Sequence, residues 1–458
     1  MSRKPVAIVS TILVGLLAAG HARADIPAEF RRLWDDPAVT ARIEQDTEQY
    51  RKADAVIHVV DAQGQPIRDA KVQAEQQTHE FLFGCNLFVL GQLDTPELNA
   101  KYEKAFTRIF NFATLPFYWG DLEPEQGKPR FAEGSAYIWR RPPPDLLLQW
   151  CKAHDITAKG HALLYAKNMF MPEWTVRDDP EVFMKQARRH MAELAERYGR
   201  QIPVWDVINE EIPRVAHLDQ WHVVPDDYAL QCFQEANRLF PEDVKLLIND
   251  GTTQTHVTLD ECEANVKKLL DGGARVDGIG IQFHTSRGAL LSSTLHPPKR
   301  MVEVYDRLGQ LGLSLYITEI TIPGTGEDGP AFQAAAAANL YRLWFSTPKM
   351  AGVTWWNLGD GTAFGGENSA LGGLLDKNMD SKPAFDALDR LINHEWKTTA
   401  ESTTGADGSF VFRGFKGGYR LTVDVSGITQ EFTIDVTDSA KPHKIVFENQ
   451  TRQGAAKK

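Results

Sequence analysis

Two acidic residues stand at the ends of two apolar runs and could act together on one substrate. Glu210 ends residues 205–210 (WDVINE), and Glu319 ends residues 315–319 (LYITE). A carboxylate at the end of a buried strand is costly unless it is paired or used in chemistry. Cleavage of a glycosidic bond needs two such groups: one acid protonates the leaving oxygen while the other attacks the sugar or assists water. Because a single glutamate in this position is more often part of a salt bridge, the prediction depends on the pair.

The elements that must position this pair follow from an alternation of short apolar runs and longer amphipathic stretches. The apolar runs, which predict strands, are residues 80–86, 112–118, 158–164, 203–209, 244–249, 278–284, 313–319 and 352–358. Helical patterns lie between them at residues 180–198, 228–240, 259–271, 299–311 and 330–345. Alternating strands and helices imply parallel pairing through crossovers. Eight such units predict an α/β fold, a closed (β/α)8 barrel over residues 80–397.

An open, doubly wound sheet would show the same alternation. It is disfavoured because no G-x-G-x-x-G motif follows an early strand. In a barrel the catalytic groups lie at the C-terminal ends of the strands. Glu210 at the end of the fourth strand and Glu319 at the end of the seventh are therefore expected to face one cavity from nearly opposite sides.

Five motifs, in this order along the predicted strands, resemble those of glycoside hydrolase family 10, the endo-β-1,4-xylanases and their relatives. They are residues 205–210 (WDVINE), 278–284 (GIGIQFH), 317–319 (ITE), 353–356 (VTWW) and 374–385 (LLDKNMDSKPAF). The resemblance covers most of the barrel. It implies a retaining O-glycoside hydrolase that acts on a polysaccharide or oligosaccharide and needs no cofactor and no metal.

The resemblance also implies a role for individual residues. Glu210 is expected to be the acid/base and Glu319 the nucleophile. Asn209 would donate to the sugar 2-hydroxyl, and Gln282 and His284 would hold Glu319 in line. The residues expected to contact substrate are Trp356 as a flat platform under the sugar, Trp119, Tyr118, Tyr165, His161 and Asn249. Trp355 should point away from Trp356, into the helix layer, because neighbouring side chains of a strand alternate.

The chain departs from the family where polar side chains usually grip the sugar. Leu115 and Tyr118 stand where the family has Asn and Lys, and Tyr165 and Ala166 stand where it has Trp and His. Thr321 stands where an Asp would orient the histidine of the sixth strand. We therefore expect that plain linear xylan is a poor substrate. The alternatives are a retaining barrel hydrolase for another β-glycan or β-glycoside, and a catalytically silent glycan-binding barrel.

The segments on either side of the barrel predict a small accessory β-sandwich built from both ends of the chain. Residues 56–75 predict two strands joined by a turn, and residues 408–436 predict three strands separated by glycine turns. Both segments resemble the two halves of the carboxypeptidase-regulatory-like sandwich. Because an isolated two-stranded hairpin is marginal in water, residues 55–79 are expected to need residues 398–450 as a partner. The alternative is two unrelated flanking elements.

The N-terminus has the pattern of an export signal. Residues 1–24 contain Arg3 and Lys4, an apolar run at residues 6–17, and a small-x-small cleavage site ending at Ala24. We expect cleavage there and a secreted or periplasmic protein, with no membrane contact after the signal is removed. Residues 25–54 are expected to be a helical or linker segment, and residues 451–458 a frayed tail.

Composition excludes several other classes of protein. Fifty basic residues against 61 acidic ones give a net charge of −11, which disfavours a nucleic acid or an anionic membrane as partner. No H-E-x-x-H motif and no C-x-x-C pair suggests a metal or redox site. The four cysteines allow a disulfide, but their spacing assigns no pairing: Cys85, Cys151, Cys232 and Cys262.

Overall fold

The computed structural model describes residues 26–216, 218–251, 256–439 and 441–448. The predicted signal (residues 1–24) and the predicted tail (residues 451–458) lie outside these residues. The strands are β1 (Lys52–Val60), β2 (Lys71–Gln76), β3 (Leu82–Asn86), β4 (Phe112–Pro116), β5 (Thr157–Leu164), β6 (Val204–Asn209), β7 (Lys245–Asp250), β8 (Gly278–His284), β9 (Ser314–Thr321), β10 (Met350–Trp355), β11 (Thr399–Thr403), β12 (Ser409–Phe415), β13 (Gly417–Val425), β14 (Ile428–Val436) and β15 (His443–Val446). The α-helices are α1 (Ala28–Trp34), α2 (Pro37–Tyr50), α3 (Pro96–Ile109), α4 (Trp119–Leu122), α5 (Pro144–Ala153), α6 (Pro180–Tyr198), α7 (Glu211–Ala216), α8 (Tyr228–Leu239), α9 (His256–Asp271), α10 (Arg287–Leu291), α11 (Pro298–Gly309), α12 (Gly329–Ser346) and α13 (Pro383–Arg390).

Strands β3 to β10 close into a parallel barrel, in which β10 pairs with β3. This confirms the predicted (β/α)8 fold, and each of the eight predicted runs overlaps one barrel strand. Central strands such as β6 are buried along their whole length, as expected for parallel strands covered by helices outside and by packed side chains inside. Phe112, Val204, Leu247 and Tyr316 form a separate apolar cluster near the strand starts. This cluster fills the N-terminal end of the barrel, so polar side chains gather at the other end.

The terminal strands form two further sheets, ordered β12-β1-β15 and β11-β2-β13-β14. One apolar cluster contains side chains of both sheets, including Ile57 of β1 and Leu421 of β13. The predicted hairpin within residues 56–75 is wrong: β1 and β2 do not pair, and each joins a different sheet with C-terminal strands as partners. A turn at residues 61–64 between two strand-like runs is typical of a hairpin, but here the chain passes from one sheet to the other before β2 begins. By contrast, β13 and β14 do form a tight hairpin, with Ser426 and Gly427 both at positive φ.

The N-terminal helices and the small sheets pack against the barrel. Phe30 of α1 makes an edge contact with Phe332 of α12, with ring centroids 5.2 Å apart. Before β1, the Arg51 guanidinium donates to the backbone carbonyls of Phe345, Thr347 and Met350. The four cysteines are buried free thiols. Among the described residues, no helix combines the length and the apolar character that crossing a membrane requires.

Candidate active site

Glu210 and Glu319 face each other across a cleft at the C-terminal end of the barrel. The cleft is lined by both glutamates, and one amide joins them: Nε2 of Gln282 lies 3.4 Å from Oε1 of Glu210 and 3.1 Å from Oε1 of Glu319. These two distances limit the separation of the two Oε1 atoms to about 6.5 Å, a separation at which both carboxylates can reach one sugar carbon. The predicted convergence of the two residues is therefore present in the fold.

Glu319 is buried and accepts hydrogen bonds on both oxygens. Oε1 accepts from Nδ2 of Asn249 at 2.9 Å and from Gln282, and Oε2 lies 3.1 Å from Nε2 of His284. Burial is the largest influence and raises the pKa of Glu319, but the hydrogen bond from His284 and nearby positive charge outweigh it. The pKa of Glu319 is therefore below its usual value, and the side chain is held ionised.

His284 is oriented from its other ring nitrogen by a hydroxyl. Nδ1 lies 2.9 Å from Oγ1 of Thr321, in the position for which the sequence suggested a missing partner. Burial lowers the pKa of His284. The hydrogen bond to Glu319 and the charge of that carboxylate raise the pKa by more than burial lowers it. The net shift is upward, so the imidazole and the carboxylate each stabilise the charged form of the other.

Asn249 positions other residues and does not line the cleft. Its side chain is fully buried, and Nδ2 donates to Oδ1 of Asn209 at 2.7 Å as well as to Glu319. Oγ1 of Thr318 in turn donates to Oδ1 of Asn249 at 2.6 Å. The prediction that Asn249 contacts substrate is therefore wrong, because its side chain is buried below the cleft and both its amide atoms are hydrogen-bonded to other protein groups. Asn209 does line the cleft, and within the described residues its amide nitrogen has no protein acceptor.

The backbone of Glu210 is in an uncommon conformation. Its φ is +59°, in the left-handed region that few residues other than glycine adopt. Its backbone N–H donates to the carbonyl of Asn249 at 2.8 Å, which fixes the turn out of β6. Such strain persists where the surroundings over-determine it, as they do at many functional sites. The turn directs the Glu210 side chain toward the cleft, next to the hydroxyl of Tyr165.

Aromatic residues form much of the cleft wall. Trp356, Tyr118 and Tyr165 all line it, as predicted from the sequence. Trp119 does not, and that prediction is wrong: its ring stacks on His190 of α6 with centroids 4.3 Å apart. The reason is that β4 ends at Pro116 and Trp119 begins the short helix α4, which carries its ring toward α6, whereas Tyr118 before the helix faces the cleft. Trp355 likewise points outward, and its Nε1 donates to the carbonyl of Gly372 at 2.9 Å.

His161 lines the cleft from below and belongs to a buried ionic group. Its Nδ1 lies 2.7 Å from Oδ2 of Asp206, which also accepts from Nζ of Lys159 at 2.6 Å. Lys159 and Asp206 are completely buried. Burial, the largest influence, raises the pKa of Asp206, but the charge of Lys159 and the hydrogen bond from His161 bring it below its usual value. The group places positive charge under Glu319.

Sequence reasoning missed several residues that also line the cleft. They come from segments that follow barrel strands and are Arg140, Arg141, Lys167, Met169, Phe170, Phe364 and Glu367. A usable signal was present for two of them, since the adjacent Arg140 and Arg141 stand in the loop between β4 and α5. Loops at this end of a barrel carry the residues that bind substrate. The other five lie in segments whose sequence shows no comparable pattern.

A closed (β/α)8 barrel whose fourth and seventh strands present two carboxylates to one cleft has the fold and site of a glycoside hydrolase. The model of Glycosyl hydrolase family 10 matches residues 73–390, which is more than half of the chain. The chain therefore belongs to glycosyl hydrolase family 10.

The proteins that the chain is similar to include an anti-sigma factor and two xylanases. The chain is 27% identical over 379 residues to anti-sigma-I factor RsgI6 of Acetivibrio thermocellus, covering 82% of this chain and 45% of that protein. It is 23% identical over 414 residues to endo-1,4-beta-xylanase 1 of Arabidopsis thaliana, covering 87% of this chain and 40% of that protein. The chain thus spans less than half the length of these two relatives. Xylanase 10B from Thermotoga petrophila RKU-1, solved with xylobiose, shares the fold with a TM-score of 0.58 and 21% identity over 69% of this chain and 95% of that one.

Proposed function

We propose that the protein is an exported, retaining glycoside hydrolase that cleaves β-1,4-linked xylan-type or related hemicellulose by double displacement. One observation carries the mechanism: the Gln282 amide lies within 3.4 Å of both carboxylates. The resulting limit of about 6.5 Å is close to the roughly 5–5.5 Å of retaining enzymes and only at the lower edge of the roughly 6.5–9.5 Å of inverting ones. A water molecule would have little room between the sugar and Glu319.

In the first step, ionised Glu319 attacks the anomeric carbon while protonated Glu210 gives its proton to the leaving oxygen. The C–O bond to the leaving sugar breaks, its electron pair stays on the oxygen that receives the proton, and a glycosyl ester forms on Glu319. In the second step, Glu210 takes a proton from water, and the hydroxyl displaces Glu319. The hydrogen bonds from Asn249, Gln282 and His284 keep Glu319 ionised and in place for both steps.

The side chains around these groups support binding of a sugar. Trp356 offers a flat face to the C–H side of a pyranose ring, and Tyr118 and Tyr165 add apolar wall. The free amide of Asn209 can donate to the sugar 2-hydroxyl, a contact that strengthens at the transition state. Since Leu115 and Ala166 replace polar residues that grip the sugar in the family, we propose that plain linear xylan is a poor substrate.

The test is the stereochemistry of the first product. Hydrolysis of a β-linked xylo-oligosaccharide, followed by proton NMR, should first release the β-anomer, which then mutarotates. A 2-deoxy-2-fluoro glycoside should leave its sugar covalently attached to Glu319, as shown by peptide mass spectrometry. Initial release of the α-anomer would disprove the double displacement. Export is tested separately by sequencing the mature N-terminus, which should begin immediately after residue 24.

A second candidate is a glycan-binding barrel without turnover. It is favoured by one observation: a relative that matches 82% of this chain has the name of an anti-sigma factor and not of a hydrolase. The complete catalytic pair and its hydrogen bonds disfavour this candidate. Binding of oligosaccharides without hydrolysis of any glycan or activated aryl glycoside would support it.

A further inference from the structure

Two adjacent arginines line the cleft that contains Glu210 and Glu319. Arg140 and Arg141 lie at the end of a loop of residues 130–141, here called the arginine loop, which follows β4 and α4. Arg140 is only 4% exposed. A guanidinium this deeply buried is expected to have a carboxylate partner, because desolvation of an unpaired charge is expensive.

Arg140 has no such partner among the described residues. Its Nη1 donates to Oδ1 of Asn357 at 2.8 Å and to the carbonyl of Thr362, both of which are neutral, and its Nε has no hydrogen-bond partner. Glu367 lines the same cleft, but its Oε2 accepts from Nδ2 of Asn357 at 3.0 Å and does not pair with Arg140. The buried charge of Arg140 is therefore left without direct compensation by the protein.

Arg141 is neutralised but keeps donors toward the cleft. Its Nε donates to Oδ2 of Asp121 at 2.7 Å, and its Nη1 donates to the backbone carbonyl of Arg140 at 3.0 Å. In the described part of the chain, Nη2 of neither arginine has a protein acceptor. Burial, together with the charge of Arg141, lowers the pKa of Arg140 to about 10. Two neighbouring guanidinium groups thus share one carboxylate, which leaves an excess of positive charge.

The arginine loop is held in this conformation by other polar side chains. Arg140 has a φ of +62°, in the left-handed region, and its backbone N–H donates to Oε1 of Gln92 at 2.7 Å. Nε2 of Gln92 donates to the carbonyl of Ile138 at 2.9 Å, and Nε of the buried Arg130 donates to that of Ala136 at 2.8 Å. A left-handed residue persists where the surroundings over-determine it, as Gln92 and Arg130 do for this loop.

The two arginines are also close to the reaction centre. The guanidinium of Arg141 lies 4.1 Å from the ring centroid of Tyr118, and that of Arg140 lies 5.3 Å from the ring of Phe88. Phe88 contacts the edge of Trp356, with centroids 5.3 Å apart. A sugar on the Trp356 platform would therefore have the guanidinium pair as a neighbour.

We propose that Arg140 and Arg141 form a binding site for a carboxylate carried by the glycan, so that uronate-bearing β-glycans are preferred over neutral ones. The planar guanidinium fork matches the two oxygens of a carboxylate and would supply the missing partner of Arg140. The preference in hydrolysis rests on the proposed hydrolase function, whereas binding of the carboxylate by the two arginines does not depend on it.

The experiment compares three matched xylo-oligosaccharides on the wild-type enzyme: one with a single uronic acid branch, the same molecule with that carboxyl reduced to an alcohol, and the unbranched chain. We expect kcat/KM for the acidic substrate to exceed that for its reduced form by about ten- to a hundred-fold, the range for a hydrogen-bonded charge pair. In Arg140→Gln this ratio should fall toward one, and Arg140→Lys should restore part of it. Arg177→Gln removes one positive charge from an exposed residue of the loop after β5 that does not line the cleft, and it should keep the ratio.

Several outcomes would overturn the inference. Equal rates for the acidic and reduced substrates on the wild type would do so without any variant, which covers the case in which Arg140→Gln does not fold. An Arg140→Gln enzyme that folds, by circular dichroism, and keeps the full ratio would also do so. A clear preference for a sulfated oligosaccharide over the uronate would contradict a carboxylate site. If no β-glycoside is hydrolysed at all, the proposed function fails, and calorimetric titration of the acidic and reduced oligosaccharides then decides the binding site alone.

Discussion

Oγ1 of Thr321 lies 2.9 Å from Nδ1 of His284, and the opposite ring nitrogen faces Glu319 at 3.1 Å. Both Thr321 and Glu319 lie on β9, two residues apart, whereas His284 ends the neighbouring β8. The histidine is therefore oriented by a neutral hydroxyl, and among the described residues Glu319 is the only carboxylate within hydrogen-bonding distance of its ring. The charge of the imidazole therefore depends strongly on Glu319, and the ionisation of Glu319 depends on the imidazole.

The first prediction concerns the acidic limb of the pH profile. Glu319 must be ionised to react. Burial raises its pKa, but the hydrogen bond from His284 and nearby positive charge outweigh burial, so the pKa lies below the usual 4.5. His284→Ala removes that influence, so the pKa of Glu319 should rise and activity should be lost at a higher pH than in the wild type. The pH dependence of kcat/KM on an aryl glycoside measures this limb in the free enzyme.

Thr321→Val is the matched variant for this prediction. It preserves shape and leaves His284 in contact with Glu319, so it should cost only about one neutral hydrogen bond, less than about ten-fold in rate. Its acidic limb should move less than that of His284→Ala. An acidic limb that does not move in His284→Ala would show that burial and the other donors alone set the ionisation of Glu319.

The second prediction distinguishes the roles of the two glutamates by comparing substrates whose leaving groups do and do not need a proton. Glu210→Gln cannot donate a proton, so kcat/KM on an oligosaccharide should fall by roughly 10²–10⁴-fold. The loss should be much smaller on a dinitrophenyl glycoside, whose leaving group needs no proton. Glu319→Gln should be inactive on both substrates. The control is Glu173→Gln, at an exposed glutamate in the loop after β5, and it should remain active on both substrates.

The sequence predicted the barrel and the catalytic pair because each signal was local. Period and length identified the strands, and Glu210 and Glu319 end two of them in motifs that are specific to one family. The assignment of Trp119 failed because whether a residue just past a strand faces inward depends on where the strand ends, and β4 ends at Pro116. Trp119 begins the helix α4, so the alternation of a strand does not decide which way its ring faces.

Contacts between distant segments were not accessible from the pattern. Nothing in the sequence indicates that Asn249 lies under Glu319, that Arg140 has a positive φ, or that Gln92 holds its backbone. The placement of β1 and β2 in separate sheets was equally inaccessible, because both strands pair with strands more than 300 residues later in the chain. Side-chain partners are set by tertiary packing, which one sequence without its fold does not encode in a readable form.

The third prediction concerns the buried ion pair of Lys159 and Asp206. Both side chains are inaccessible to solvent and 2.6 Å apart. Lys159→Met leaves the carboxylate of Asp206 buried without its strongest partner and should lower the free energy of unfolding by about 3–5 kcal/mol. In the double variant Lys159→Met/Asp206→Asn the loss should be clearly smaller than the sum of the two single losses. Urea denaturation of the four proteins measures this coupling, and strictly additive losses would contradict it.

The fourth prediction concerns Asp250, which ends β7 beside the catalytic cleft. Burial raises the pKa of Asp250 from its usual 3.8 to about 7, despite hydrogen bonds from the backbone N–H groups of Gly251 and Ile212. The folded state therefore binds this proton more tightly than the unfolded state, so the contribution of Asp250 to stability falls as pH rises through this window. Asp250→Asn should become more stable relative to the wild type between about pH 4 and pH 7 and then level off. Thermal unfolding across that range measures the difference, and a constant difference would contradict the raised pKa.

The last prediction concerns the dependence of the N-terminal strands on the C-terminal ones. β1 lies between β12 and β15, and β2 lies between β11 and β13, so every strand partner of β1 and β2 comes from the end of the chain. Ile57 and Val72, which are completely buried in the shared apolar cluster, would become exposed without those partners. The two N-terminal strands cannot be stable alone, since they do not even pair with each other.

Deletion of residues 401–458 should therefore abolish hydrogen-exchange protection in β1 and β2. It should also lower the melting temperature of the barrel. β1 follows directly after Arg51, which donates to three backbone carbonyls of the barrel, so loss of β1 should weaken these contacts. Deletion of residues 451–458 alone is the matched control and should change neither quantity. A 401–458 deletion that melts like the full chain, with β1 still protected, would show that the two ends of the chain do not form one cooperative unit. Loss of protection in β1 and β2 with an unchanged barrel would instead show that the small sheets unfold independently of the catalytic part.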